Sequence, residues 1–132
     1  MKLVRPFFSL VLLSGALAAQ AAEQPKLSIE FRPLLLSFRT TSPHETFLGA
    51  TLLSLSPNLA HYFAVLPPLL ADHVVLDVGL GQGHHYTSRI DELLLPPGIF
   101  IYVQGVTFAE DRWDATRVGD FVLDVTVPNP PR

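Results

Sequence analysis

Cysteine is absent from this chain of 132 residues, which excludes disulfide bridges, thiolate metal centres and a lipidated N-terminal cysteine together. Stability must come from packing. Lysine is scarce, with only Lys2 and Lys26, and the arginines are scattered along the sequence. Nucleic acid and anionic lipid surfaces are bound by clustered Lys and Arg, so this composition argues against both as partners. There is no Asn-x-Ser/Thr acceptor, since Asn58 precedes Leu59-Ala60 and Asn129 precedes Pro130. No Gly-x-Ser-x-Gly elbow is present either, and no serine, histidine and aspartate stand in a context that suggests a triad.

What is present begins with Lys2 and Arg5, followed by an apolar run from Phe7 to Leu17 and a small-x-small site at Ala19-Gln20-Ala21. This is the pattern of an export signal at 1–21. Ser9, Ser14 and Gly15 interrupt the run, which falls short of the ~20 apolar residues that a membrane span needs. Cleavage would leave Ala22 to Arg132 with no stable membrane insertion. It also removes two of the 9 basic side chains, leaving 7 against 12 acidic ones and a formal charge of −5 in place of −3. About 110 residues suffice for one domain with its own core. A secreted or periplasmic location of bacterial type suits a domain of this size without disulfides.

The chain has 12 prolines, most of them after the signal, and proline breaks helix interiors. The pieces between them read as strands. Leu27 to Arg32 alternates apolar with polar residues, Leu34 to Phe38 is continuously apolar, and Arg39 to Glu45 reads as a loop. Thr46 to Leu55 is again compatible with a strand. In Asp72 to Leu80, Val74, Leu76, Val78 and Leu80 are expected on the core face, with His73, Val75, Asp77 and Gly79 on the wet one. Ile99 to Phe108, introduced by Pro96-Pro97-Gly98, is the strongest β segment and is expected to be central and buried on both faces. Val118 to Val127 closes the set with Phe121, Leu123, Val125 and Val127 on one side, and the proline-rich tail 128–132 is expected to fray. The segment 57–65 fits a short helix capped by Ser56 as well as it fits a strand. The fold class is therefore an all-β antiparallel sandwich of immunoglobulin-like or jelly-roll-like type over 22–132, with room for one short helix.

Four groups of residues invite a chemical reading. Val75 to Gly83 runs an apolar strand into Asp77-x-Gly79-x-Gly81-x-Gly83, similar to the first motif of class I methyltransferases. The chain is too short for the alternating α/β sheet that this motif serves, and His84-His85-Tyr86 opens a helix poorly. His73 and Asp77, four residues apart on one strand face, would form a metal site if His84 or His85 folded back over them, and neutral imidazole suits such a site. Glu110-Asp111-Arg112-Trp113-Asp114 reads as an acidic hairpin loop without the regular oxygen spacing of a calcium loop. Trp113 would either stack on a sugar or partner, or cap the core.

The stretch from Phe47-Leu48-Gly49 through Leu94 to Val106 and on to Val122 to Val127 resembles small all-β modules of exported bacterial proteins, notably of planctomycete type. The resemblance implies a sandwich and assigns no activity. Taken together, the sequence points to an exported binding or structural module with no cofactor. Its partner would be a protein or glycan, contacted through His73, Asp77, His84, His85 or Trp113. A metal-dependent or hydrolytic enzyme using the histidine-containing glycine loop is the alternative.

Overall fold

The computed structural model describes residues 24–123. The export signal read at 1–21, the end of the last expected strand and the tail 128–132 lie outside the described residues. Among the described residues ten strands form: β1 (Lys26–Arg32), β2 (Leu35–Thr41), β3 (Phe47–Ser54), β4 (Leu59–Ala60), β5 (Leu69–Leu70), β6 (Val74–Gly81), β7 (His85–Asp91), β8 (Phe100–Ala109), β9 (Arg112–Ala115) and β10 (Gly119–Val122). β1-β2-β7 make one sheet, and β10-β8-β3-β6 make a second in which β9 also pairs with β8. All pairings are antiparallel. The two sheets face each other as a sandwich, as the alternating segments led us to expect.

One half of the space between the sheets is apolar. Leu36 and Phe38 of β2 meet Leu53, Ile101, Val103, Phe121 and Leu123 there, with the Phe38 and Phe121 ring centres 5.7 Å apart. Phe121 and Leu123 thus share the buried side expected of them. The other half is lined by hydroxyl groups, with Thr40, Thr51, Ser88 and Thr107 all buried.

β8 is central and buried on both faces along its middle, because a second apolar cluster lies outside the sandwich. Leu66, Leu69 and Leu70 pack over Leu52 and Val106 on the outer face of the five-stranded sheet. Gln104 clasps this segment. Its Oε1 accepts from the Leu70 amide at 2.9 Å, and its Nε2 donates to the carbonyls of Pro68 and Thr116 at 3.3 Å each. Ser54 adds a bond to the Ala71 carbonyl at 2.7 Å.

Three readings need correction. The segment 57–65 contains no helix; only Leu59 and Ala60 pair as a strand. Bounded by Pro57 and Pro67, it is too short to offset helix nucleation, and Leu59, Tyr62 and Phe63, which a helix would have to bury along one side, are exposed. The strand β2 continues through Arg39 to Thr41, because both neighbours pair with it to that point. In β6 the faces are exchanged. A bulge where the register shifts between Thr51 and Leu52 leaves Leu76 inside, as expected, yet turns Asp77, Gly79 and Gly81 inward and Val78 and Leu80 out.

Two tight turns have positive φ at both central residues, Gly83-His84 at 64° and 72° and Glu110-Asp111 at 51° and 60°. This is the signature of the type I′ hairpin turn, for which Asn-Gly is the preferred pair. Neither Glu110 nor Asp111 is glycine, and left-handed backbone costs an L-residue on the order of 1 kcal/mol. Glu110→Asn/Asp111→Gly should therefore raise stability by about 1 kcal/mol, or ~4–8 °C in melting temperature for a domain of this size. Calorimetry checks this, and a lowered melting temperature would contradict the turn assignment.

Candidate functional site

Asp77 is the centre of a polar knot between the sheets. Its Oδ1 accepts from the Tyr86 hydroxyl at 2.6 Å and from Ser88 Oγ at 2.5 Å, while Ser88 Oγ lies 2.6 Å from Thr51 Oγ1. Ser88 has one proton and gives it to Asp77, so the Thr51 hydroxyl must donate to Ser88. The order of protons is fixed along the chain Thr51, Ser88, Asp77, with Tyr86 entering from the other side. Tyr86 reaches Asp77 only because its ring lies flat over Gly49 and Gly79, where an added Cβ would come within 2.7 Å of ring carbons. Burial, and then the hydrogen bond to Asp77, push the Tyr86 phenol up to about 12.

This arrangement decides what the glycine-rich segment does. Gly79 makes room for Tyr86, Gly81 sits against the Phe47 ring, and Gly83 forms the turn. Gly79 and Gly81 face packed rings and leave no space for a phosphate or cofactor, and Gly83 is an exposed turn residue with positive φ. Ser88 is 1 % exposed and its hydroxyl is held by two partners, so a substrate has no approach to it.

The histidines are dispersed. His73 Nδ1 lies 2.6 Å from the Leu70 carbonyl, with its ring edge-on to Tyr62 at 5.4 Å between centres. His84 and His85 stand at the other end of β6, roughly 25 Å away at ~3.3 Å per residue. His84 Nδ1 is 3.2 Å from the Ser42 carbonyl and its backbone N–H donates to Glu45. His85 Nδ1 is 3.1 Å from the Gly83 carbonyl. Asp77 lies between these ends and points inward, so the expected set of His73, Asp77, His84 and His85 does not converge. Among the described residues no group of three metal-ligating side chains occurs. Glu110 and Asp111 form the β8–β9 turn and Arg112–Ala115 is a strand, in place of an acidic loop. Trp113 stands on that strand and packs on Phe108, ring centres 4.7 Å apart, with 38 % of its surface exposed.

The two outer faces differ in chemistry. On the five-stranded sheet the register sets Leu80 beside Leu48, Leu48 beside Phe108 and Phe108 beside Trp113. This row of large apolar side chains crosses four strands, with Val78 in the next row. The Leu66–Leu70 cover stops short of them. On the three-stranded sheet, Arg39 pairs with Thr87 and Ser37 with Arg89. Arg32, Arg39 and Arg89 line a shallow basin of about 490 Å³ together with Ser28, Ser37 and Thr87. Arg32 is paired with Glu30 at 3.3 Å. Three arginines far apart in sequence are thus gathered on one face, which only the strand register could reveal. A second hollow of about 600 Å³ opens between the start of β1 and Arg117 to Asp120.

No protein-family model matches this chain, and no significant match is found among curated proteins or solved structures.

The polar knot carries two measurable consequences. Asp77→Ala leaves two buried hydroxyls without their acceptor and should cost about 2–4 kcal/mol in urea unfolding, with Asp77→Asn costing less because one acceptor oxygen remains. Tyr86 ionises at ~10 when unfolded and at about 12 when folded. The unfolded chain therefore releases its proton first, and the stability that Tyr86 supplies is complete below pH 10 and lost as pH rises through 12. Tyr86→Phe should lower stability at neutral pH and flatten its decline over that alkaline window. An unchanged slope would show that Tyr86 is not shielded as described.

Proposed function

We propose that the chain is an exported, non-catalytic binding or structural module whose contact surface is the outer face of the five-stranded sheet. One observation carries this reading: Leu48, Val78 and Leu80 are exposed in register beside Phe108 and Trp113 on a rigid sheet. Isolated exposed apolar residues need no explanation, but contiguous ones mark contact surfaces. The titratable groups support the same reading, since Asp77 serves the fold and the histidines stand apart. Export is supported by the Lys2/Arg5, Phe7–Leu17 and Ala19-Gln20-Ala21 pattern, and it implies a secreted or periplasmic place of action.

The arginine-lined basin favours a second reading, in which an acidic glycan docks on the opposite sheet. Arg39 and Arg89 would supply forked donors to carboxylate or sulfate groups, with the Ser28, Ser37 and Thr87 hydroxyls beside them.

Photo-crosslinking in the native host separates the two. A photoreactive residue at position 48 should give covalent adducts that disappear when Leu80→Lys is added, whereas the same residue at position 39 should give none. Adducts from position 39 alone would support the basin, and their absence from both positions would overturn the surface reading. Mass analysis of the secreted chain should place its first residue at Ala22.

A further inference from the structure

We propose that the exposed edge of β6 pairs with β6 of a second copy of this chain, making a two-fold dimer with one continuous sheet. The inference rests on the contact surface assigned above and names its partner. A sheet edge presents unpaired N–H and C=O groups, and proteins commonly shield such edges with charge, proline or short strands. Among the described residues, three of the four edges of the two facing sheets are shielded in this way. β1 carries Lys26, Glu30 and Arg32, β7 carries Arg89 and Asp91, and the outer edge of β8 is covered by the four-residue strands β9 and β10, which bear Arg112, Asp114 and Asp120.

β6 is different. It has eight residues and one charge, Asp77, which the bulge has turned inward into the knot. Among the described residues its backbone from Val74 to Leu80 bonds only to β3. Val78 is 65 % exposed and Leu80 55 % exposed. These residues begin the apolar row that continues through Leu48 and Phe108 to Trp113.

The occupant follows from which strand can lie against this edge. An antiparallel two-fold pairing centred on Gly79 sets Val78 opposite Leu80 of the second copy, twice, on the outer face. On the inner face it sets Asp77 opposite Gly81 and Gly79 opposite Gly79. Cross-strand apolar pairs are favourable and like charges directly opposite are not. Centring the pair on Asp77 would oppose two carboxylates, so the sequence of β6 is self-complementary in the Gly79 register. The three shielded edges offer no such match. A closed two-fold pairing also uses each β6 edge once and leaves none free for further addition.

The area sets the strength. Pairing along the β6 edge buries the lateral side of one strand per copy and leaves Leu48, Phe108 and Trp113 on the outer face. The interface is therefore small, in the range where association is weak and reversible.

Sedimentation equilibrium on the purified protein is the test. The weight-average mass should rise from one toward two chain masses between low micromolar and sub-millimolar concentration. Val78→Lys should hold it at one at every concentration with an unchanged melting temperature in dilute solution, since the side chain supports nothing in the fold; Thr87→Lys on the other sheet should leave the association intact. Because the chain has no cysteine, the register can be read directly. A mixture of Val78→Cys and Leu80→Cys chains should oxidise to covalent dimers faster than either variant alone, the directly opposed pair being within disulfide reach. A monomer at all concentrations, or association that Val78→Lys leaves unchanged, overturns the pairing. The position-48 adducts judge the surface reading separately, because a heteropartner there would appear at a mass other than twice that of the chain.

Discussion

The bulge between Thr51 and Leu52 is the constraint on which the rest of this structure depends. A strand alternates its side chains with period two, so one extra residue exchanges the faces beyond it. The extra residue is Leu76 of β6, which pairs with nothing on β3 and points into the apolar half of the core. Above it, Asp77 enters the sandwich and Gly79 and Gly81 follow, while Val78 and Leu80 are turned out. The polar knot and the exposed apolar row are therefore the two faces of one register, in which Asp77, Gly79 and Gly81 pair with Thr51, Gly49 and Phe47. Leu76 and Asp77 are adjacent, and in a regular ladder they could not both face inward.

The knot also defines how the sheets are joined. β6 belongs to one sheet and β7 to the other, and the Gly83-His84 turn carries the chain between them. A corner of this kind leaves the inner faces free to slide unless something fixes their offset. Tyr86 supplies that fixation, since its ring fills the space left by Gly49 and Gly79 and its hydroxyl meets Asp77. Directional bonds set the position in the hydroxyl-lined half. In the other half, Phe38 and Phe121 supply area without direction. Gln104 plays the comparable part on the outer face, where it binds the backbone of 68–70 and so determines how far the Leu66–Leu70 cover extends. The uncovered row begins where that cover ends.

Much of the architecture was legible in the sequence, because the alternation of Leu27 to Arg32, the β-branched and aromatic richness of Ile99 to Phe108 and the proline spacing all report local physics. Burial of Phe121 and Leu123 followed from the same period. The orientation of Asp77 was not legible, since which residue of β6 is the extra one depends on its pairing with β3, and nothing in the local sequence singles out Leu76. Gly79 and Gly81 were the available signal: glycines spaced two apart on a strand mark a face where something large approaches, and here the large groups are Tyr86 and Phe47. The convergence of Arg32, Arg39 and Arg89 was equally hidden, because positions far apart in the chain become neighbours only through the β1-β2-β7 register. The ambiguity of 57–65 resolved outside the core altogether, with Leu66 packed against the sheet and most of the preceding apolar residues left in solvent.

The outward row calls for a reason other than folding. Val78 and Leu80 contribute little to the core, and a β-branched polar residue such as threonine would serve the strand as well as valine does. Their solvent exposure favours neither the native packing nor solubility, and an uncharged edge beside an apolar face is a hazard for uncontrolled strand addition. The same chain places charges on β1, β7, β9 and β10, so its other edges do not share the hazard. An apolar row that folding does not require, on the one edge without charged protection, is accounted for by an occupied surface. Pairing at that edge satisfies the free backbone groups and brings Val78 and Leu80 into cross-strand apolar contact in a single step.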